Sequence, residues 1–244
     1  TIAPATPLPA ITDQVTIDGY TQPGTAANDL ASGSNAIPLI HLDTAGIVGS
    51  GLVVDAAGTA IRGLAITGFD QPLQAGISVN QQANIEGNFI GLRPDGETDG
   101  SNYYGVLVTN AADVVIGGSA PAQRNVISGN IDDGVYIQGT SVDSAVRGNI
   151  IGTDLTGSLA RPNLSGVCTC AQLGSGADVI DNLLSGNLAA GVYIASAGTT
   201  ILGNFIGVDV VGLNPMPNGR GGVVSGFSST GTVIGDGSIA GRNV

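Results

Sequence analysis

Apolar residues in this chain come two apart, in runs of three to five residues punctuated by Gly, Asn and Asp. That period of two predicts short strands joined by tight turns, and no stretch carries the 3.6-residue period of a helix. Taking the Gly before each apolar pair as an anchor gives Gly51, Gly76, Gly105, Gly134, Gly166, Gly191 and Gly222, in steps of 25 to 32 residues. Steps this even suit one turn of a three-sided solenoid whose excess length goes into a variable loop. Val15-Thr16-Ile17 and Ile37-Pro38-Leu39-Ile40 lie upstream as less regular opening turns. The expected organisation is a single solenoid domain, with irregular opening coils over 1–50 and regular coils over 51–244. Eight or nine coils at about 4.8 Å each make a rod of about 40 Å.

Three phrases recur. Gly87-Asn88-Phe89-Ile90-Gly91 returns as Gly148-Asn149-Ile150-Ile151-Gly152 and as Gly203-Asn204-Phe205-Ile206-Gly207. Asn125-Val126-Ile127-Ser128-Gly129-Asn130 is echoed from Asn182 to Asn187, and Gly134-Val135-Tyr136-Ile137 by Gly191-Val192-Tyr193-Ile194. Aligned on them, one inward face reads Ile77/Val79, Val106/Val108, Val135/Ile137, Val167/Thr169, Val192/Ile194 and Val223/Ser225. A second reads Ile85, Val146, Val179 and Ile201, and a third Ile90, Ile127, Ile151, Leu184 and Ile206. Stacked like residues imply apolar ladders and parallel pairing of successive coils, which satisfies the main chain along the rod. Asn88, Asn125, Asn149, Asn182, Asn204 and Asn243 form one column, with Leu64 in their place one turn earlier. Asn tolerates left-handed backbone at tight corners, and stacked amides hydrogen-bond along a rod. Asn163-Leu164-Ser165 is a glycosylation sequon in an expected loop.

The Gly-Asn-x-Ile-Gly and Arg-Asn-Val-Ile-Ser-Gly-Asn phrases, with Asp-Gly-Val-Tyr-Ile between them, resemble right-handed parallel β-helix repeat proteins of the pectate-lyase-like superfamily. They look most like repetitive regions of bacterial surface or secreted proteins. The resemblance spans about Val15 to Val244. It implies an all-β right-handed parallel β-helix, and it leaves activity open among lyases, galacturonan hydrolases, tailspikes, adhesins and passenger domains.

Composition narrows the chemistry. Forty Gly against four Phe, no Trp and one Met describe a core of small aliphatic and β-branched side chains. A net charge of −12 without a single Lys excludes a basic patch, so nucleic acid is not an expected partner. No apolar run reaches the roughly 18 residues of a membrane span, so insertion is not expected either. Thr1-Ile2-Ala3 reads as a strand already under way and Arg242-Asn243-Val244 as the start of another repeat; a piece of a longer protein is the expectation. Cys168 and Cys170, two apart on a strand, would hold their Cβ atoms about 6–7 Å apart and stay unbridged.

Glycan-cleaving enzymes need acids and bases converging on one groove, often with a cation. One His and no Lys make that set sparse, and the hydrolase-type Asn-Thr-Asp, Gly-His-Gly and Arg-Ile-Lys blocks are missing. Asp132, Arg124 and Arg147 are the candidate catalytic residues, if their corners point over one groove. Asp95, Glu97 and Asp99, followed by Gly100, reproduce the first half of a Ca²⁺ loop; Val106 stands where the bidentate Glu belongs, and a solvated acidic turn is the competing reading. The outward column between the paired core positions runs Ser78, Leu107, Tyr136, Cys168, Tyr193, Val224. From Leu107 to Val224 it is a stripe about 20 Å long that a solvated strand would not choose. The expected function is a structural or adhesive segment of an extracellular or cell-surface protein, a stalk or filament unit. Its partners are itself, end to end or laterally, or a surface glycan or protein. A polysaccharide-active enzyme or carbohydrate-binding module on the same fold is the alternative.

Overall fold

The structure, a computed structural model, describes residues 1–44, 46–171 and 176–244. It is a three-sided right-handed parallel β-helix. The first sheet stacks Thr16–Asp18, Thr59–Arg62, Ala83–Glu86, Val115–Gly117, Ala145–Arg147, Asp178–Ile180, Thr200–Leu202 and Val233–Ile234. The second stacks Ile40–Asp43, Leu64–Thr67, Phe89–Ile90, Val126–Ile127, Ile150–Ile151, Leu183–Leu184 and Phe205–Ile206. The third stacks Leu52–Val54, Ala75–Val79, Tyr104–Thr109, Val135–Gly139, Val167–Ala171, Ala190–Ile194 and Gly221–Ser225. Every strand pairs in parallel with the equivalent strand of the next coil, as the aligned phrases require. The opening residues join in fragments, with Ile2 and Ile11 bridging to Leu42 and Val54.

The inward rows are those of the sequence alignment. Ile85, Val146, Val179 and Ile201, and Ile90, Ile127, Ile151 and Leu184, are fully buried, as are Ile77, Val106, Val135, Val167 and Val192. Each such side chain contributes about 1.5–3 kcal/mol of burial, and the in-register stacking fills the interior without large aromatics. The row breaks at Thr169, whose hydroxyl meets Thr199 Oγ1 at 3.1 Å, with Ser196 beyond it.

Asparagine fills two corners rather than one. Between the first and second sheets, Nδ2 of Asn88 donates to Oδ1 of Asn125, and so on through Asn149, Asn182, Asn204 and Asn243 at 2.9–3.2 Å. From Asn125 onward each Oδ1 also accepts the backbone N–H of the preceding Asn, Asn88 Oδ1 accepts the Leu64 N–H, and each Nδ2 reaches a strand carbonyl such as Ile61 or Ile85. At four of these six corners the left-handed residue is the one before the Asn: Gly87, Gly148, Asp181 and Gly203 have φ of +65°, +68°, +55° and +67°. The Asn is there for its amide, not its backbone tolerance, which corrects the conformational reason expected from sequence. A second ladder, Asn102–Asn130–Asn163–Asn187–Asn218, runs between the second and third sheets. Asn163 is fully buried within it, so the sequon lies in the ladder and not in an open loop.

Coils alternate in build. At Gly91, Gly152 and Gly207 the chain leaves the second sheet into a hairpin closed by Gly100, Arg161 and Met216 N–H bonds back to those glycine carbonyls at 2.8–2.9 Å. Gly129 and Gly186 turn directly instead, with φ of +74° at both. The hairpins stack on each other across the short coils, through Leu155 N–H to Gly96 O and Val210 N–H to Gly157 O.

Candidate functional site

The three outer faces differ. On the first, Arg62 bridges Asp18 at 2.7 Å and Glu86 at 3.7 Å in the opening coils, while Val115, Ala145, Ile180 and Leu202 stand half-buried on the later strands. On the second, Ala65, Phe89, Val126, Ile150 and Leu183 point outward yet are buried, because Tyr20 of the opening loop and Leu155 and Val210 of the hairpins pack over them. Tyr20 is fixed there by its hydroxyl donating to Gly87 O at 2.5 Å, and burial, with Asp18 second, pushes its pKa up to about 12. On the third, the outward column has only a partial cover. Strand pairing sets Leu107, Tyr136, Cys168, Tyr193 and Val224 side by side on successive strands. Leu107 and Cys168 sit low, 9% and 3% exposed, while Tyr136, Tyr193 and Val224 stand half-buried around them. Tyr104 stacks on Tyr136 with ring centroids 5.0 Å apart, and Tyr103 meets Tyr104 edge-on at 4.8 Å.

Beside this column runs a second row that the sequence alignment missed. The residue after each Asn of the second ladder is Tyr103, Ile131, Leu164, Leu188 or Gly219. Ile131, Leu164 and Leu188 are 51%, 39% and 63% exposed. Between the two rows lies a groove of about 320 Å³, lined by Leu164, Ser165, Cys168, Tyr193, Arg220 and Val224, with Asp133 at one edge. Asp133 is 8% exposed and accepts the Ser165 N–H at 3.2 Å. Burial first, and the Asp132 charge second, push its carboxyl up to about 7. Asp132 lies near Tyr103 and is the main cause of that tyrosine's raised pKa. Burial, then Asp133, raises Tyr136 as well.

The catalytic candidates do not converge. Asp132 enters the third sheet, whereas Arg124 and Arg147 lie at the corner between the first and second sheets, one side of the triangle away. Arg124 is a clamp: its guanidinium donates to the carbonyls of Leu30, Ala31 and Gly33 and to Gly148 O, tying the opening loop to the rod. Desolvation there lowers its pKa. Arg147 closes a first-sheet strand, with its Nε buried and without a hydrogen-bond partner. These three residues are therefore not one acid/base set.

The half Ca²⁺ loop is the tip of the first hairpin. Asp95 Oδ1 accepts the Glu97 and Thr98 N–H groups at 2.9 and 2.8 Å, and Oδ2 accepts the Thr98 hydroxyl at 2.6 Å. Burial opposes ionisation of Asp95, but these hydrogen bonds outweigh it and hold the carboxyl below its usual value. Asp99 pairs with Arg161 at 3.8 Å. The carboxyl of Asp95 folds the turn, and Asp154 and Asp209 do the same in the later hairpins. Among the described residues no group of three or more His, Cys, Asp or Glu side chains is placed to hold a metal ion.

Cys168 and Cys170 are joined in a disulfide, which corrects the expectation of two free thiols. Their Cα atoms are 5.6 Å apart, shorter than the roughly 6.6 Å of two residues on a fully extended strand and inside the range a disulfide spans. The pair sits near the end of Val167–Ala171, in register with Tyr136 and Gln138. No protein-family model, curated protein or solved structure matches the chain.

Proposed function

We propose that this chain is a structural and adhesive β-helix segment of an extracellular or cell-surface protein, working through the outer face of its third sheet. One observation carries the reading. The outward side chains of the second face are covered by the chain's own loops and the apolar ones of the first stand at most half-exposed in its later coils, but the third face keeps exposed Ile131, Leu164 and Leu188 beside half-buried Tyr136 and Tyr193. Contiguous apolar surface beside a groove is the mark of an interaction site. In the body behind it both ladders and all three sheets absorb most of the buried polar groups, as a stalk or filament unit requires. The Cys168–Cys170 disulfide suits an oxidising compartment. Among the members of the pectate-lyase-like superfamily that the repeat phrases resemble, the surface proteins are the nearest in kind.

A polysaccharide-active enzyme or carbohydrate-binding module is the second reading, and Asp133 favours it. A groove carboxyl poised near 7 is what a general acid needs. The partner carboxylate of a glycosidase stands roughly 5–9 Å away across the scissile bond, however, and the nearest acid here, Asp132, is the chain neighbour on the same edge. Incubation with pectic, alginate-like and neutral polysaccharides separates the two. The adhesive reading expects retention on a ligand-coated surface and no new reducing or unsaturated ends. Cleavage that Asp133→Asn abolishes would replace it with the enzyme.

A further inference from the structure

The third face is self-complementary, and we propose that its occupant is a second copy of this chain, bound antiparallel about a two-fold axis that follows the strand Val167–Ala171. This rests on the third face being the adhesive surface. Three independent features of the face have the same centre. From Leu107 onward, past Val53 and Ser78 of the earlier strands, the sheet column reads Leu107, Tyr136, Cys168, Tyr193, Val224: aliphatic, Tyr, Cys, Tyr, aliphatic, symmetric about Cys168. The corner row beside it reads Ile131, Leu164, Leu188, symmetric about Leu164, which belongs to the same coil as Cys168.

The third feature is shape and charge. Bulky and acidic residues occupy one half of the face, where Tyr103 and Tyr104 precede Gly105 and Asp132 and Asp133 precede Gly134. Small residues occupy the other, where Ala189 and Ala190 precede Gly191 and Arg220 lies between Gly219 and Gly221. The groove of about 320 Å³ is over the small half. A two-fold along the central strand brings each half onto the other. Tyr103 and Tyr104 of one copy then face the glycines around Arg220 of its mate, and Tyr136 faces Tyr193. Arg220, an exposed cation, reaches the Asp132 carboxylate and the Tyr103 ring that lies near it. Residues on an isologous interface must meet their own counterparts in this reciprocal way, and such an interface closes at two copies. Five strands at about 4.8 Å give a patch about 20 Å long, and pairing across so short a patch is reversible.

Sedimentation equilibrium of the full chain over a wide concentration range, with circular dichroism to confirm the fold of each variant, tests this. The expected result is a monomer–dimer equilibrium that stops at the dimer. Arg220→Asp should weaken it about tenfold or more, Ala189→Trp should do the same by filling the groove, and the double exchange Asp132→Arg with Arg220→Asp should restore it to within about threefold. A monomer at every concentration, a ladder of higher masses, or a double exchange no better than Arg220→Asp alone would overturn the proposal. Retention of a strictly monomeric parent on a glycan or protein surface through Tyr136 and Tyr193 would remove the second copy as occupant while leaving the adhesive reading in place.

Discussion

Nδ2 of Asn125 lies 2.9 Å from Oδ1 of Asn149, 24 residues further along the chain, and the same oxygen accepts the Asn125 backbone N–H at 3.2 Å. Asn149 in turn donates to Ile116 O and to Asn182 Oδ1. One buried side chain therefore answers for polar groups of three coils, and a buried group left without its partner costs about 1–3 kcal/mol. Asn149→Ala should lower stability by about 3 kcal/mol or more, read as a lower denaturant midpoint at unchanged slope. Asn243→Ala, at the half-buried end of the same ladder, should cost about 1 kcal/mol. Equal effects at the two positions would show that the ladder does not act through burial.

Asp133 gives the pH dependence. Its carboxyl is pushed up to about 7 in the fold, by burial first and Asp132 second, against an ordinary value of 3.8. A raised folded pKa means that the folded state holds the proton where the unfolded chain has released it. The contribution to stability is therefore fully present below about pH 4 and is lost as pH rises through about 7. Between pH 5 and 8 the chain should lose on the order of 2 kcal/mol, and Asp133→Asn should flatten that loss. His41 has the opposite sign: burial lowers its pKa, so its contribution is lost as pH falls below about 6.5. Comparing the parent with Asp133→Asn at each pH isolates the Asp133 part. A parent curve that Asp133→Asn leaves unchanged would contradict the assignment.

Oxidised chain should take up no iodoacetamide, and after reduction it should take up two equivalents, at Cys168 and Cys170, seen by mass spectrometry. The closed loop is only three residues long, so reduction should cost about 1–2 kcal/mol and leave the strand content unchanged. Labelling of both thiols without reductant would restore the free-thiol reading.

The Asn163 sequon should remain unmodified in folded protein made by a glycosylating host, because its amide donates to Ile127 O at 3.0 Å and Asn187 Oδ1 at 3.1 Å and has no exposure. Peptide mapping that finds a glycan at Asn163 on natively folded chain would place this residue outside the ladder.

The first ladder was legible because Asn88, Asn125, Asn149, Asn182 and Asn204 each stand two residues before the inward Ile or Leu of the second sheet, and four of them three residues after the inward Ile or Val of the first. The second was hidden by the hairpins. Asn102, Asn163 and Asn218 follow a ten-residue excursion from Gly91, Gly152 and Gly207, whereas Asn130 and Asn187 follow their turns at once. Only counting backward from Gly105, Gly134, Gly166, Gly191 and Gly222, three or four residues in each case, brings them into line. The outward column was legible from period two alone. Its partial burial, and the cover over Phe89 and Val126, were not, because both depend on where Tyr104, Tyr20 and Leu155 fold back across a face. Arg124 illustrates the same limit: its role is set by loop carbonyls more than ninety residues away.

The claim that the third face does the work is tested most directly by one aspartate per exposed face, with binding of the folded chain to a ligand-coated or cell surface as the readout. Tyr193→Asp on the third face should reduce retention at least about tenfold, and Ala145→Asp on the first should leave it within about twofold. Retention lost equally in both variants, or lost only with Ala145→Asp, would contradict the account.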